Sequence, residues 1–210
     1  MERRSWGSLS REQIVEAALG IARADGLEAL TIRRLAADLD ASRMALYRHI
    51  ADKDALVELV LNEVAERSVP TLPPRDGPWE DRLRHLANTI RAELAAYPGV
   101  VDILMTRYNH GPGGLRVVDT ILEILADAGL AADTAARYYL VFIDLVFGRL
   151  HREVHGDPVS PARVASILDR ARESDDLPHI RAAEPALRAF AAEAVFEAEL
   201  DMLVQAIARG

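Results

Sequence analysis

Residues 30–56 read LTIRRLAADLDASRMALYRHIADKDAL, and the fold turns on how that stretch is interrupted. Thr31 is a good N-cap, and Leu35, Ala36 and Leu39 behind it give a short helix one apolar face. Asp40-Ala41-Ser42 leaves room only for a turn. A third helix over 43–50 follows, held inward by Leu46 and Ile50 one turn apart. Asp52 then caps a fourth helix that runs to about residue 68 and presents Leu56, Leu59, Val60 and Val64. Short helices joined this way fit a helix-turn-helix. With Arg43, Tyr47 and His49 facing outward, the third helix suits a major groove. A plain three-helix corner with solvated polar residues fits the same spacing.

Working outward, helical periodicity continues on both sides and no strand alternation interrupts it. Upstream, Ser10 and Gln13 make a capping box. Ile14, Ala17, Ala18, Ile21 and Ala22 form one stripe, and Gly26 ends that helix. Downstream, residues 70–78 hold four prolines and a glycine, the clearest break in the chain. Beyond it the pattern predicts helices over 79–97, 98–107, 112–128, 133–155, 160–173 and 184–208. The expected architecture is all-α. An N-terminal helix-turn-helix domain of three helices occupies residues 1–53, helix four connects over 52–68, and a larger helical body fills 69–210.

The chain has 210 residues, half of them hydrophobic and 28% charged, a globular composition long enough to bury a core. Zero cysteines exclude disulfide scaffolds, thiolate metal sites and cysteine nucleophiles. The longest apolar stretch, 138–147, is cut by Asp144 and falls short of the roughly 20 residues a membrane span needs. Arg3 and Arg4 have no apolar segment behind them, so a secretory signal is not expected. Cytoplasmic location without a membrane partner is the expectation. The net charge of −8 is uneven: residues 1–53 carry nine basic against eight acidic side chains, and the acidic excess lies in the rest. That balance permits local phosphate binding without requiring it. Lys53 is the sole lysine.

The residues quoted above resemble the DNA-binding domain of the tetracycline-repressor (TetR) family. The family pattern stands here as Thr31, Leu35-Ala36, Leu46-Tyr47-Arg48-His49, Lys53 and Leu56, and the resemblance covers about residues 9–68. One departure is Asp40 where the family has glycine; aspartate tolerates the left-handed region better than most side chains. By position, the resemblance implies phosphate contacts from Thr31, Tyr47 and the clamping Lys53, and a place for Ser42 in the same interface. It also sets Arg33, Arg43 and Met44 at base edges. An arginine such as Arg43 donates bidentately to guanine, whereas Met44 serves equally as filler against the groove wall. His49 donates to phosphate or only packs. The partner implied is a double-stranded DNA operator.

The body offers a dimer surface and a pocket. The last helix is apolar on two sides: Leu187, Phe190, Ala191, Ala194 and Ala198 on one, Ala189, Phe196, Leu200, Leu203 and Ile207 on the other. Two stripes imply either a partner subunit or a helix buried centrally in one chain. The family likeness favours a homodimer built from this helix and the one over 160–173, with Phe196, Leu200, Leu203 and Ile207 at the interface. Tyr138, Tyr139, Phe142 and Phe147 gather aromatics on one helix around Asp144. That carboxylate is either salt-bridged internally or a polar handle for an effector. His110 in the glycine-rich junction over 107–114 is a second handle. The body is also similar, more weakly, to true tetracycline repressors. Their drug- and magnesium-binding positions fall here on Leu86, Ile90 and Leu104, which cannot ligate magnesium. The expected pocket is therefore Leu86, Ile90, Leu104, Leu122, Tyr138 and Phe142, suited to an apolar or cationic aromatic effector, with no cofactor.

Catalysis is the weaker class. His151-Arg-Glu-Val-His155 places two histidines one turn apart, but the glutamate is misplaced for either zinc-hydrolase motif, and no nucleophile elbow stands out. Neither a catalytic nor a metal site is expected. The sequence thus points to a DNA-binding transcriptional regulator, a repressor released by a small molecule. The alternative is a helical ligand-binding or scaffolding protein that no longer reads an operator.

Overall fold

The computed structural model describes residues 9–68, 71–106, 111–156, 160–174, 176–189 and 191–209. Among them are eleven α-helices, one 3-10 turn and no strand. In order they are α1 (Arg11–Asp25), the turn Leu27–Ala29, α2 (Ile32–Asp38), α3 (Arg43–Tyr47), α4 (Lys53–Ser68), α5 (Trp79–Ala95) and α6 (Val100–Leu104). There follow α7 (Pro112–Asp127), α8 (Ala132–His155), α9 (Pro161–Arg172), α10 (Pro178–Ala189) and α11 (Ala192–Ala208). Contacts gather the chain into two compact units, Met1–Ile124 and Leu125–Gly210, divided inside α7. The proline-rich junction lies within the first unit, between α4 and α5.

In the first unit, the capping box at Ser10 and Gln13 starts α1. α1 packs on α2 and α4, α2 on α3, and α4 on α5. Ile14, Ala18, Ile21, Leu35, Leu46, Leu56 and Val60 are all buried where the stripes meet. Each large side chain among them contributes about 1.5–3 kcal/mol by leaving water. Gly26, at φ +81°, ends α1 and lets Leu27 N–H donate to the Pro98 carbonyl at 3.0 Å. Beside it the Arg23 guanidinium donates to the Tyr97 hydroxyl at 2.7 Å and lies 4.9 Å from that ring's centroid. The helix-turn-helix is thereby fixed to the α5–α6 turn.

The turn between α2 and α3 closes as a Schellman motif: Ala41 N–H donates to the Ala36 carbonyl and Asp40 N–H to that of Ala37. This geometry needs a left-handed residue after the helix. Asp40 takes it at φ +48°, the sole non-glycine with positive φ among the described residues. The family's usual glycine is replaced without loss of the turn.

α4 and α7 meet almost backbone to backbone. A Cβ on Gly113 would lie 2.6 Å from the Glu66 backbone nitrogen, a distance real Cβ atoms do not show. Gly113 N–H donates to Asn62 Oδ1 at 3.2 Å, and Arg116 pairs with Glu66 alongside.

In the second unit α11 packs on α8, and α9 on α10. Tyr138 donates its hydroxyl proton to the Ala206 carbonyl at 3.1 Å, and Arg152 pairs with Glu199 at 3.2 Å. Three expectations are corrected. The last helix is two, parted at Ala191, whose ψ of 153° is extended. No glycine or proline marks that break; a straight helix cannot both lie on α9 and follow α8, so packing overrides alanine's propensity. The helix paired with α11 is α8, not the one over 160–173. Finally α3 stops at Tyr47, and α6 spans only Val100–Leu104.

Because L-residues pay for the left-handed region and glycine does not, Asp40→Gly should raise stability by up to about 1 kcal/mol. The urea midpoint measures it; an unchanged or lower midpoint would show that Asp40 stores no strain.

Candidate functional site

The first surface is built by two caps and a short helix. Thr31 accepts from Arg34 N–H at 3.1 Å and Ser42 from Ala45 N–H at 3.1 Å, starting α2 and α3. Leu46 and Ile50 are buried as expected, which turns Arg43, Met44 and Tyr47 outward. Met44 is 73% exposed. A long apolar side chain held that far into water has no packing role inside the chain, so the filler it provides is toward a partner.

The cations sort into two sets. Arg34 pairs with Asp25 at 3.0 Å and with Asp38 at 3.1 Å. The Asp38 carboxylate, then Asp25, raises its pKa above the ordinary arginine value. Arg67 pairs with Glu16 and Glu63, and Arg116 with Glu66. These groups already have their counter-ions. Arg33, Arg43, Arg48 and Lys53 are exposed and make no ion pair with a described residue. His49 is exposed as well, which removes the packing-only reading. The free cations bracket α3, and they are the ones an anionic backbone can recruit. Arg48 was passed over because it fills a variable place in the Leu46-Tyr47-Arg48-His49 pattern; its exposure and lack of a partner are visible only in three dimensions.

The effector residues divide between the units. In the first, Leu86 and Ile90 are buried on α5, with Leu104 half-buried at the end of α6 and Leu122 half-buried on α7. In the second, Phe142 is buried and Tyr138 half-buried on α8. His110 lies outside the described residues. Asp144 is a correction: it is exposed, because two residues past Phe142 a helix has turned about 200°. Nor does it pair with Arg149, which is buried against Glu153 at 2.8 Å. The sequence reading also missed a cleft of about 480 Å³ in the first unit, lined by Arg11 and Ile14, by His49 and Ile50, by Glu58, Leu59 and Asn62 of α4, and by Gly111 and Pro112. Its lining comes from four separate segments, so no local pattern announces it.

The interface stripe is the second correction. Phe196 and Leu200 are 0% exposed, and Leu203 and Ile207 are buried too. A side chain already out of water in one chain has nothing left to cover. The larger stripe serves the subunit's own core, and α11 turns the smaller one outward: Ala194, Ala198 and Met202.

Comparison with known proteins matches both parts of the chain. Residues 14–60 fit the family described as bacterial regulatory proteins, tetR family, and residues 70–209 the tetracyclin repressor-like C-terminal domain. The chain is 32% identical over 123 residues to the transcriptional repressor DrrR1 of Streptomyces coeruleorubidus, covering 59% of this chain and 46% of that one. It is 27% identical over 204 residues to the class A tetracycline repressor of Escherichia coli, covering 96% and 91%. The fold superposes on ActR of Streptomyces coelicolor with a TM-score of 0.86 at 24% identity, covering 98% of each chain.

If the free cations face phosphate, Lys53→Ala should weaken binding to every DNA sequence alike and flatten the log–log salt slope by about one. Arg43→Ala should instead relax preference at one base pair, worth about 1–3 kcal/mol. Uniform loss by both mutants across a randomised operator library would remove Arg43 from direct readout.

Proposed function

The chain belongs to the tetracycline-repressor family of DNA-binding transcriptional regulators, and we propose that it acts as a homodimeric repressor released from a palindromic operator by a small molecule. The observation that carries the DNA half is the α3 face, where Arg43, Met44 and Tyr47 stand in water between unpaired cations. Two such heads must meet half-sites about 34–36 Å apart. A displacement of a few ångströms is then enough to lose the operator.

The joint between α4 and α7 supports the release half. α4 is packed against α1 of the head, while Asn62 and Glu66 on its far side grip Gly113 and Arg116. Motion at the start of α7 is thus passed to the head through backbone contact rather than through compliant side chains. The effector must favour the released shape by roughly 5 kcal/mol to invert the populations. Aliphatic Leu86, Ile90 and Leu104 suit an apolar or cationic aromatic compound better than a magnesium chelate. That ActR, similar in fold, has been solved with actinorhodin supports a small-molecule effector in general.

Homodimerisation rests on the exposed sides of α8 and α11. Leu140 and Val141 are 59% and 45% exposed and Met202 64%. Large apolar groups held together in water on two packed helices mark an association surface, and twofold pairing is its commonest form.

Anisotropy titration of palindromic DNA from beside the gene tests the reading, first without and then with candidate aromatic compounds; failure to bind any such palindrome would sink it. Gly113→Val, which drives a side chain into α4's backbone, should lower operator affinity at unchanged fold, and parent-like affinity would remove the joint from the mechanism. Met202→Glu should give a folded monomer, whereas Leu200→Glu buries an unpaired charge and should destabilise the chain by several kcal/mol. Sedimentation with thermal melts separates the two, and a dimeric Met202→Glu would put the interface elsewhere.

A further inference from the structure

The outward stripe of α8 is Arg137, Leu140, Val141 and Asp144, at i, i+3, i+4 and i+7, and all four are exposed. Neither Arg137 nor Asp144 makes an ion pair with a described residue. The pattern is symmetric about its own centre: two apolar residues in the middle, a cation one turn to the N-terminal side, an anion one turn to the C-terminal side. Such a stripe is complementary to itself when a copy is turned end for end. We infer that α8 pairs antiparallel with the α8 of a second copy across a twofold axis between Leu140 and Val141, and that Arg137 and the partner's Asp144 form two reciprocal ion pairs that set its register.

The geometry follows from the helix itself. Seven residues at 1.5 Å span about 10 Å, so each charge lies roughly 5 Å from the axis, within the part of a helix crossing where side chains still meet. In an isologous contact, residue i meets j while j meets i. Leu140 then packs on the partner's Val141, and Arg137 reaches the partner's Asp144. Parallel pairing would instead set Arg137 against Arg137 and Asp144 against Asp144. A slip of one turn would leave each charge against an apolar residue. The charges therefore select one arrangement among several that the apolar residues alone would accept. Asp144, which looked like an effector handle in the sequence, becomes a determinant of assembly.

This inference rests on the homodimer reading above, and its test separates the two. The full-length chain is compared by sedimentation equilibrium as parent, Arg137→Asp, Asp144→Arg and the double exchange, with circular dichroism melts to confirm folding. Each single reversal replaces two attractive contacts per dimer by two repulsive ones and should raise the dimer dissociation constant about ten-fold or more. The double exchange should restore it to within about three-fold of the parent. Single variants that dimerise like the parent, or a double variant weaker than both, overturn the pairing while leaving the homodimer standing. A parent chain that sediments as a monomer overturns the homodimer reading and the pairing with it.

Discussion

α4 is the constraint on which the rest depends, because one helix has to serve two masters. Leu56, Val57, Val60, Leu61 and Val64 are all buried, more than a single stripe, since the helix packs on α1 and on α5. Its remaining surface is occupied at Asn62 and Glu66 by the start of α7. The apolar groups cannot be re-sorted without exposing one set or the other. Interiors are close-packed, so such an element shifts as a body rather than deforming. The position of the head is therefore a property of α4, and everything that touches α4 has a say in it.

A second principle runs across the molecule's surface. Its charges are divided by employment: arginines that face a carboxylate hold the fold, as Arg34, Arg67 and Arg116 do, and those left without one are gathered around α3. This resolves the paradox of an acidic protein that binds a polyanion. What matters for recognition is the handful of uncompensated cations at one place, not the sum of −8 over the whole chain.

The DNA-binding end was legible in the sequence because it is local. Caps at Ser10, Thr31 and Ser42 and the breaks at Gly26 and Asp40 depend on neighbours within a few residues, and each was read correctly. The C-terminal region was less so. Periodicity revealed that its terminal segment is apolar twice over, yet it carries no sign of which face is spent on the subunit and which is left over. The larger stripe, with Phe196 and Leu200, was assigned to a partner when folding had first claim on it. Asp144 misled for the same reason: its sequence neighbours are aromatic, but helical geometry sends it away from them. The cleft beside His49 was invisible because its walls come from four separated stretches.

The hook between Leu27 and Pro98, reinforced by Arg23 on Tyr97, gives the head a fixed fulcrum. A rigid body held at one point and pushed at another does not translate; it turns. With the fulcrum at the end of α1 and the load applied along α4, a small shift at the start of α7 becomes an angular swing of α3, amplified by its distance from the hook. The head is a lever, and Gly26, by allowing the chain to approach Pro98, is the pin on which it rotates.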